Sequence, residues 1–367
     1  MIVLSKTKLN HLIGLLKNYG VDGCLMGPGH DVEYLAGIKP FADERFRGFF
    51  LLSDGRWFFI CPELYYEEVR EALGEEAHIY KWSDGGGVMG AFERAELDYV
   101  LSEKVIAVND GIRAIDLIDM RSLIKAEYVN KAIIFEELRL RKDDAEAGYM
   151  TKAGEIADKA FEEIIKFIKP GASEREIANK IKELLIELGG EELSFDPIVA
   201  SGPNSSKPHY NGDRRIIEER DLVVLDFGCR YKGYCSDTSR TVFVGEPTEE
   251  QKKVYEICLR ATTEAKKAVR EGITAEEVDK VARDIITKEG YGQYFINRTG
   301  HGIGLAVHEA PYIKGGNKQI LKTGMCFSIE PGIYIPGKFG MRIEDIVMVD
   351  GDSARVFNNS NRNMIIV

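Results

Sequence analysis

Two stretches of this chain repeat one another. A long amphipathic helical pattern, a glycine break, a Ser/Thr-x-x-Glu box and a second helical pattern ending on glycine occur with Gly171, Ser173, Glu176 and Gly189. The same order returns about a hundred residues later with Gly272, Thr274, Glu277 and Gly290. A Ser or Thr followed three residues on by Glu satisfies two otherwise orphaned backbone N–H groups, so each box marks a helix start. A duplication of this kind constrains the fold before any single motif does. It predicts two halves, each helix-helix-strand-hairpin, packed about a pseudo-twofold with their sheets joined and their helices outside.

The repeat carries carboxylates with it. The apolar run Leu222–Leu225 ends at Asp226, and Met325–Ile329 ends at Glu330; Gly228 matches Gly332; Asp237 in GYCSD matches Glu344 in GMRIE. The pseudo-twofold brings these four acids to the middle. Burying an unpaired carboxylate costs several kcal/mol or more, so four together call for cations. Between the second-half helices and Glu330 lies Thr299-Gly300-His301-Gly302-Ile303-Gly304, followed by Val307-His308-Glu309. An isolated Asp after a strand is ordinarily a turn residue and a lone His an exposed or satisfied one. The joint placement in a repeat makes His301 a fifth ligand beside the four acids, its flanking glycines allowing close backbone approach. Two divalent ions about 3.5–4 Å apart, bridged by two of the acids, would balance the charge and hold a shared water. One nitrogen among many oxygens favours Mn²⁺, Co²⁺ or Fe²⁺, with Zn²⁺ also compatible. Arg342, two residues before Glu344, is read as its ion-pair partner or as a residue that orients it.

The first 130 residues read separately, as a smaller α/β domain. Helical periodicity over 5–19, short strands at 24–26, 49–52, 57–61 and 104–109, and helices near 64–73, 88–97 and 114–124 alternate through it. A linker is expected over 131–140 and the catalytic domain over 141–367, opening with a helix at 147–168. Gly85-Gly86-Gly87-Val88-Met89-Gly90 spells a dinucleotide-binding fingerprint but lacks a surrounding βαβ unit. Asp226-Phe227-Gly228 spells a kinase metal motif but lacks the loops that accompany it. A net charge of -11 argues against nucleic-acid and anionic-membrane partners. The scattered cysteines and the interrupted N-terminal apolar run favour a reducing, cytoplasmic setting with no membrane span.

Together, DFG…GYCSDTSRT, GHGIG followed by VHE, SIEPGIY and GMRIED resemble the ordered signature of the metallopeptidases with the pita-bread fold: methionine aminopeptidase, aminopeptidase P and prolidase, with creatinase as a relative without metal. The likeness covers residues 141–367; the N-terminal portion is similar to the creatinase-like domain of the proline-specific members. The resemblance implies an α+β fold and makes Asp226, Asp237, His301, Glu330 and Glu344 the metal ligands. Asp237 and Glu344 would bridge, Asp226 would serve one ion, and His301 and Glu330 the other. It implies a proton-handling role for Glu330 and substrate-side roles for His209, in KPHYNG, and for His308. Ala306 departs from the family pattern, where an acidic residue is common, leaving the ligands intact but altering local substrate contacts. The implied activity is hydrolysis of Xaa-Pro bonds, preferably in dipeptides, by a homodimer using Mn²⁺ or Co²⁺. The alternatives are an Xaa-Pro aminopeptidase acting on longer peptides, a different hydrolase, or a non-catalytic binding module. A dipeptidase must also hold the proline carboxylate, for which Arg45, Arg47 and Arg298 are the candidates.

Overall fold

The computed structural model describes residues 4–367. The chain divides into two compact units, one ending at Arg139 and the other beginning at Leu140.

The first unit is a six-stranded sheet, β1 (Gly23–Met26), β2 (Gly48–Leu52), β3 (Trp57–Pro62), β4 (Ile79–Trp82), β5 (Val105–Val108) and β6 (Glu127–Asn130), in the order β4-β3-β2-β1-β5-β6. Its helices are α1 (Lys6–Asn18), α2 (His30–Ala36), α3 (Tyr66–Leu73), α4 (Met89–Tyr99), α5 (Ala114–Leu123) and α6 (Ala132–Arg139). The run GFFLL in β2 is buried throughout because both faces are covered: Phe49 and Leu51 join one apolar cluster, Phe50 and Leu52 the other. The expected linker over 131–140 is mostly α6. Ile134, Phe135 and Leu138 recur at helical spacing and bury into the first unit's core with α1, so the covered apolar face overrides the charged residues that looked like a boundary.

The second unit holds the duplication. Its first half runs α7 (Asp144–Ile164), α8 (Glu174–Glu187), β7 (Glu192–Leu193), β8 (Ile198–Ser201), β9 (Leu222–Phe227), β10 (Cys229–Tyr231), β11 (Tyr234–Cys235) and β12 (Thr238–Phe243). Its second runs α9 (Glu249–Ala268), α10 (Ala275–Lys288), β13 (Gly300–Gly302), β14 (Glu309–Ile313), β15 (Cys326–Ile329), β16 (Gly332–Ile335), β17 (Phe339–Arg342), β18 (Asp345–Asp350) and β19 (Ser353–Val356). All four helices start with complete capping boxes: Asp143 with Glu146, Ser173 with Glu176, Thr248 with Gln251, and Thr274 with Glu277. The box at Asp143 starts α7 three residues before the helix expected at 147–168. The equivalence extends to single hydrogen bonds. Gly171 and Gly272 donate to Ile217 and Leu321, and Glu174 and Ala275 donate to Arg215 and Gln319.

Each half has its own core. Ala157, Phe161 and Ile164 of α7 pack with Ile181 and Leu185 of α8 on Val223, Leu225 and Val242; α9 and α10 cover the other sheet in the same way. Each large apolar side chain buried there stabilises the fold by about 1.5–3 kcal/mol. The halves are joined by backbone and charge. Glu344 N–H donates to Ser239 O at 3.0 Å, and the wholly buried Arg240 pairs with Asp345 at 2.8 Å. Burial alone would push the Asp345 carboxyl up, but Arg240, Lys266 and Arg362 around it hold it below the ordinary carboxylate range. Asp345 follows Glu344 directly, so this cluster fixes the backbone that aims one of the candidate ligands.

Candidate active site

The five predicted ligands come together in the second unit. Asp226 lies on β9 opposite Ser239, Asp237 immediately precedes β12, His301 is the middle residue of β13, Glu330 follows β15, and Glu344 joins β17 to β18. Ligand atoms of Asp237, His301 and Glu344 lie within 4.8 Å of one another. His301 Nε2 is 3.2 Å from Glu330 Oε1 and 3.7 Å from Asp237 Oδ2. The glycines beside His301 do permit close approach, and what approaches is neighbouring backbone. A Cβ on Gly300 would sit 1.8 Å from Ser328 O, and one on Gly302 would sit 2.1 Å from Ala310 O. That packing lets His301 N–H donate to Ser328 Oγ at 3.0 Å, which locks the strand under the ring.

The electrostatics demand a cation. Asp226 Oδ1, Asp237 Oδ1 and Glu344 Oε1 are buried and meet no hydrogen-bond donor among the described residues. Burial first, and then the neighbouring carboxylates, push Asp237 and Glu344 well above the ordinary carboxylate range and Glu330 up to about 7. His301 moves the other way, lowered to about 3 by burial and then by His308, so its ring is neutral. Its Nδ1 is 3.1 Å from Gly302 O, an atom that only accepts, so Nδ1 carries the proton. Nε2 therefore presents a lone pair to Asp237 and Glu330. A lone pair facing carboxylate oxygens is repulsive unless a proton or a metal ion lies between them, and hydrogen bonding at the far nitrogen is how a ligating imidazole is held. Oxygen donors with one imidazole and no thiolate fit a divalent first-row ion.

Of the two roles expected of Arg342, a direct ion pair with Glu344 is replaced by one with Asp226, and contact with Glu344 runs through a hydroxyl. Its Nη2 donates to Asp226 Oδ2 at 2.5 Å, and its Nε donates to Ser239 Oγ at 2.7 Å. It reaches Glu344 only through that hydroxyl, which donates to Glu344 Oε2 at 2.6 Å. The reason is chain direction: β17 ends at Arg342 and the chain turns before Glu344, so alternation along one strand no longer applies. Ser239, Ser328 and Tyr334, which hold these groups, were not singled out by sequence reasoning. Only Ser239 had a usable signal, lying two residues after Asp237.

A cavity of about 530 Å³ opens over the cluster. His209 and His308 line it with Arg298, Arg342, the four acids and the His301 imidazole, and Phe195, Ile198 and Val307 supply apolar wall. His308 stands edge-on to His301, ring centres 4.2 Å apart, and partial burial followed by Arg298 lowers its pKa. Arg298 stacks on Tyr312 at 4.8 Å and makes no ion pair among the described residues. Arg45 and Arg47 belong to the first unit. Arg45 is held by both oxygens of Asp84 at 2.9 Å and by Glu44 at 2.6 Å. Arg47 is buried over Tyr65 at 4.4 Å, with Nε and Nη2 meeting no acceptor among the described residues.

Known proteins are similar to this chain over nearly its whole length. Residues 148–351 match the profile of metallopeptidase family M24, and residues 8–140 match that of the creatinase/prolidase N-terminal domain. An Xaa-Pro dipeptidase of Lactobacillus delbrueckii subsp. lactis is 34% identical over 372 residues, covering 98% of each chain. A dipeptidase from Pyrococcus horikoshii OT3 superposes with a TM-score of 0.93 at 42% identity, over 98% of this chain and 100% of its own. A prolidase from Thermococcus sibiricus does so with a TM-score of 0.94 at 41% identity, over 99% of both. Sequence profile, whole-chain likeness and a cation-demanding acidic cluster agree: the chain belongs to metallopeptidase family M24, with the pita-bread fold in its second unit.

Proposed function

We propose that this metallopeptidase is an Xaa-Pro dipeptidase working on two divalent ions, Mn²⁺ or Co²⁺, through Asp226, Asp237, His301, Glu330 and Glu344. The observation that carries this reading is a cationic Arg298, with no ion pair among the described residues, on the wall of the same cavity as the acidic cluster. A free proline carboxylate supplies the charge that Arg298 lacks, while the X-Pro amide, having no N–H, offers nothing to a backbone acceptor. Divalent ions, when bound, supply Lewis acidity at the carbonyl and lower the pKa of the attacking water.

The chain's own residues do the rest. Glu330, whose carboxylate lines the cavity beside the other ligands, is placed to take a proton and return it. The proton leaving the attacking water passes to Glu330 and then to the proline nitrogen, which must gain one to depart as an amine. His308 and His209 stand on the substrate side, where a protonated or N–H-bearing ring polarises the scissile carbonyl and stabilises charge developing on its oxygen. His308→Ala should therefore lower kcat by about 100-fold or more with metal content unchanged, checked by steady-state kinetics alongside metal analysis. Wild-type turnover in that variant would exclude the role.

The substrate assignment is tested by comparing an Xaa-Pro dipeptide with the matching Xaa-Pro-Yaa tripeptide. The dipeptide should be hydrolysed and the tripeptide left intact. Arg298→Ala should raise KM for the dipeptide by about 10- to 100-fold, the range for losing a charge-assisted hydrogen bond. Cleavage of the tripeptide alone would make the enzyme an Xaa-Pro aminopeptidase. The same reading makes the protein a cytoplasmic homodimer that binds no nucleic acid, supported by six buried free cysteines and the acidic net charge of -11. Among the described residues no helix is long and apolar enough to cross a membrane. Sedimentation at micromolar concentration tests the dimer.

A further inference from the structure

His209 stands on a stretch, residues 207–215, that contains no helix or strand. A side chain that must meet a substrate carbonyl needs its backbone held, and the regular elements do not hold it. Glu174 does. It is the first residue of α8 and fully buried, an unusual place for a carboxylate. Its Oε1 accepts from Ser201 N–H and Ser201 Oγ, both at 2.8 Å, and from Asn204 Nδ2 at 3.1 Å. Its Oε2 accepts from Tyr210 OH at 3.0 Å and from Arg215 N–H at 3.3 Å. These donors bracket the loop: Ser201 and Asn204 before His209, Tyr210 immediately after it, and Arg215 at its far end. From the other side Arg342 Nη1 donates to Pro208 O at 3.2 Å while its Nη2 holds Asp226.

The duplication supplies an internal control. The residue equivalent to Glu174 in the second half is Ala275, likewise fully buried at the first position of its helix. The surrounding backbone is the same in both halves: Ser173 bridges Ile216 as Thr274 bridges Ile320, and Arg175 donates to Asp213 as Glu276 donates to Asn317. Alanine therefore meets every requirement of this position in the fold. The segment leading back to that bridge is 202–215 in the first half and 314–319 in the second, and only the longer one carries a histidine into the cavity. A carboxylate has been placed beneath the loop that bears His209 and not beneath its counterpart.

We propose that Glu174 is a positioning residue for His209: it touches no substrate, and it fixes the 201–215 loop so that the imidazole meets the scissile carbonyl. The inference rests on the peptidase reading above for its kinetic consequence and on the loop alone for its structural one. Glu174→Gln keeps the side chain's shape but turns one oxygen into a donor facing donors. In that variant kcat for an Xaa-Pro dipeptide should fall by about 100-fold, as a displacement near 1 Å of a reacting group costs, with KM and metal content little changed. In a His209→Ala background the same substitution should cost nothing more, because its effect passes through the imidazole. Losses that multiply in the double variant would overturn the proposal. Should Glu174→Gln fold poorly, Tyr210→Phe removes a single donor and should show a smaller kcat loss that also vanishes with His209→Ala; a loss that persists there counts against the role equally. Limited trypsinolysis at Arg214, exposed in a stretch with no helix or strand, reads the loop without activity. Glu174→Gln should accelerate cleavage there and His209→Ala should not, and unchanged cleavage in Glu174→Gln would overturn the anchoring. If the wild type hydrolyses no Xaa-Pro dipeptide, the substrate assignment falls while the tryptic comparison still decides the anchor.

Discussion

Asp237→Ala should abolish peptidase activity, lower the bound metal, and raise the melting temperature of the metal-free protein. The three effects share one cause. Asp237 is almost completely buried, its Oδ1 meets no donor, and Glu344, Asp226 and Glu330 crowd it with charge of its own sign. In the presence of divalent ions that crowding is the source of affinity, and Asp237 is read as one of two bridging ligands. Losing a residue that only orients a ligand costs about 10–100-fold in affinity or activity, so losing a bridge should cost more than about 1000-fold in turnover. Without ions the same carboxylate is a liability, since burial and repulsion both oppose its charged form. The alanine variant, freed of it, should melt higher than metal-free wild type, a change that a misfolded variant would not show. Metal analysis, steady-state kinetics and a thermal melt of the chelated proteins check these points. Wild-type metal content in the variant would end the ligand assignment.

Chelating the wild type should destabilise it, and by more as the pH rises. Glu330's carboxyl is raised from 4.5 to about 7, and Asp237 and Glu344 are raised in the same direction. A carboxyl whose folded pKa lies above its unfolded one keeps a proton that the unfolded chain gives up. The metal-free protein therefore loses stability as pH climbs from about 4.5 through about 7, on the order of 3 kcal/mol from Glu330 alone. Bound divalent ions replace those protons and remove the dependence. Urea unfolding with and without chelator, at pH 5 and pH 7.5, should give a gap that widens at the higher pH. A gap that narrows instead would mean the carboxylates are not the ligands.

Much of the site was legible in the linear chain because a duplication writes its chemistry twice. Asp226 and Glu330, and Asp237 and Glu344, stand out only when the halves are laid over each other. Boundaries were harder. The box Asp143-x-x-Glu146 starts α7 ahead of the helix expected at 147–168, and α6 was hidden within the expected linker by its own acidic face, because whether Ile134, Phe135 and Leu138 are covered depends on what lies opposite them.

Carboxylates, imidazole and glycines at repeated spacings are local facts, and from them the sequence alone determined the two-half architecture and picked out the five side chains that the fold gathers around one cavity. Where Arg342 spends its charge is not local. It donates to Asp226, 116 positions away, because β17 lies beside β9 and β12 in three dimensions. The burial of Glu174 beneath the His209 loop is of the same kind: the sequence shows an ordinary acidic residue in a helix's first turn, indistinguishable from Glu276 beside it in the repeat. Only packing removes water from one such carboxylate and surrounds it with five donors, because desolvation depends on the elements that close over a residue and not on its neighbours along the chain.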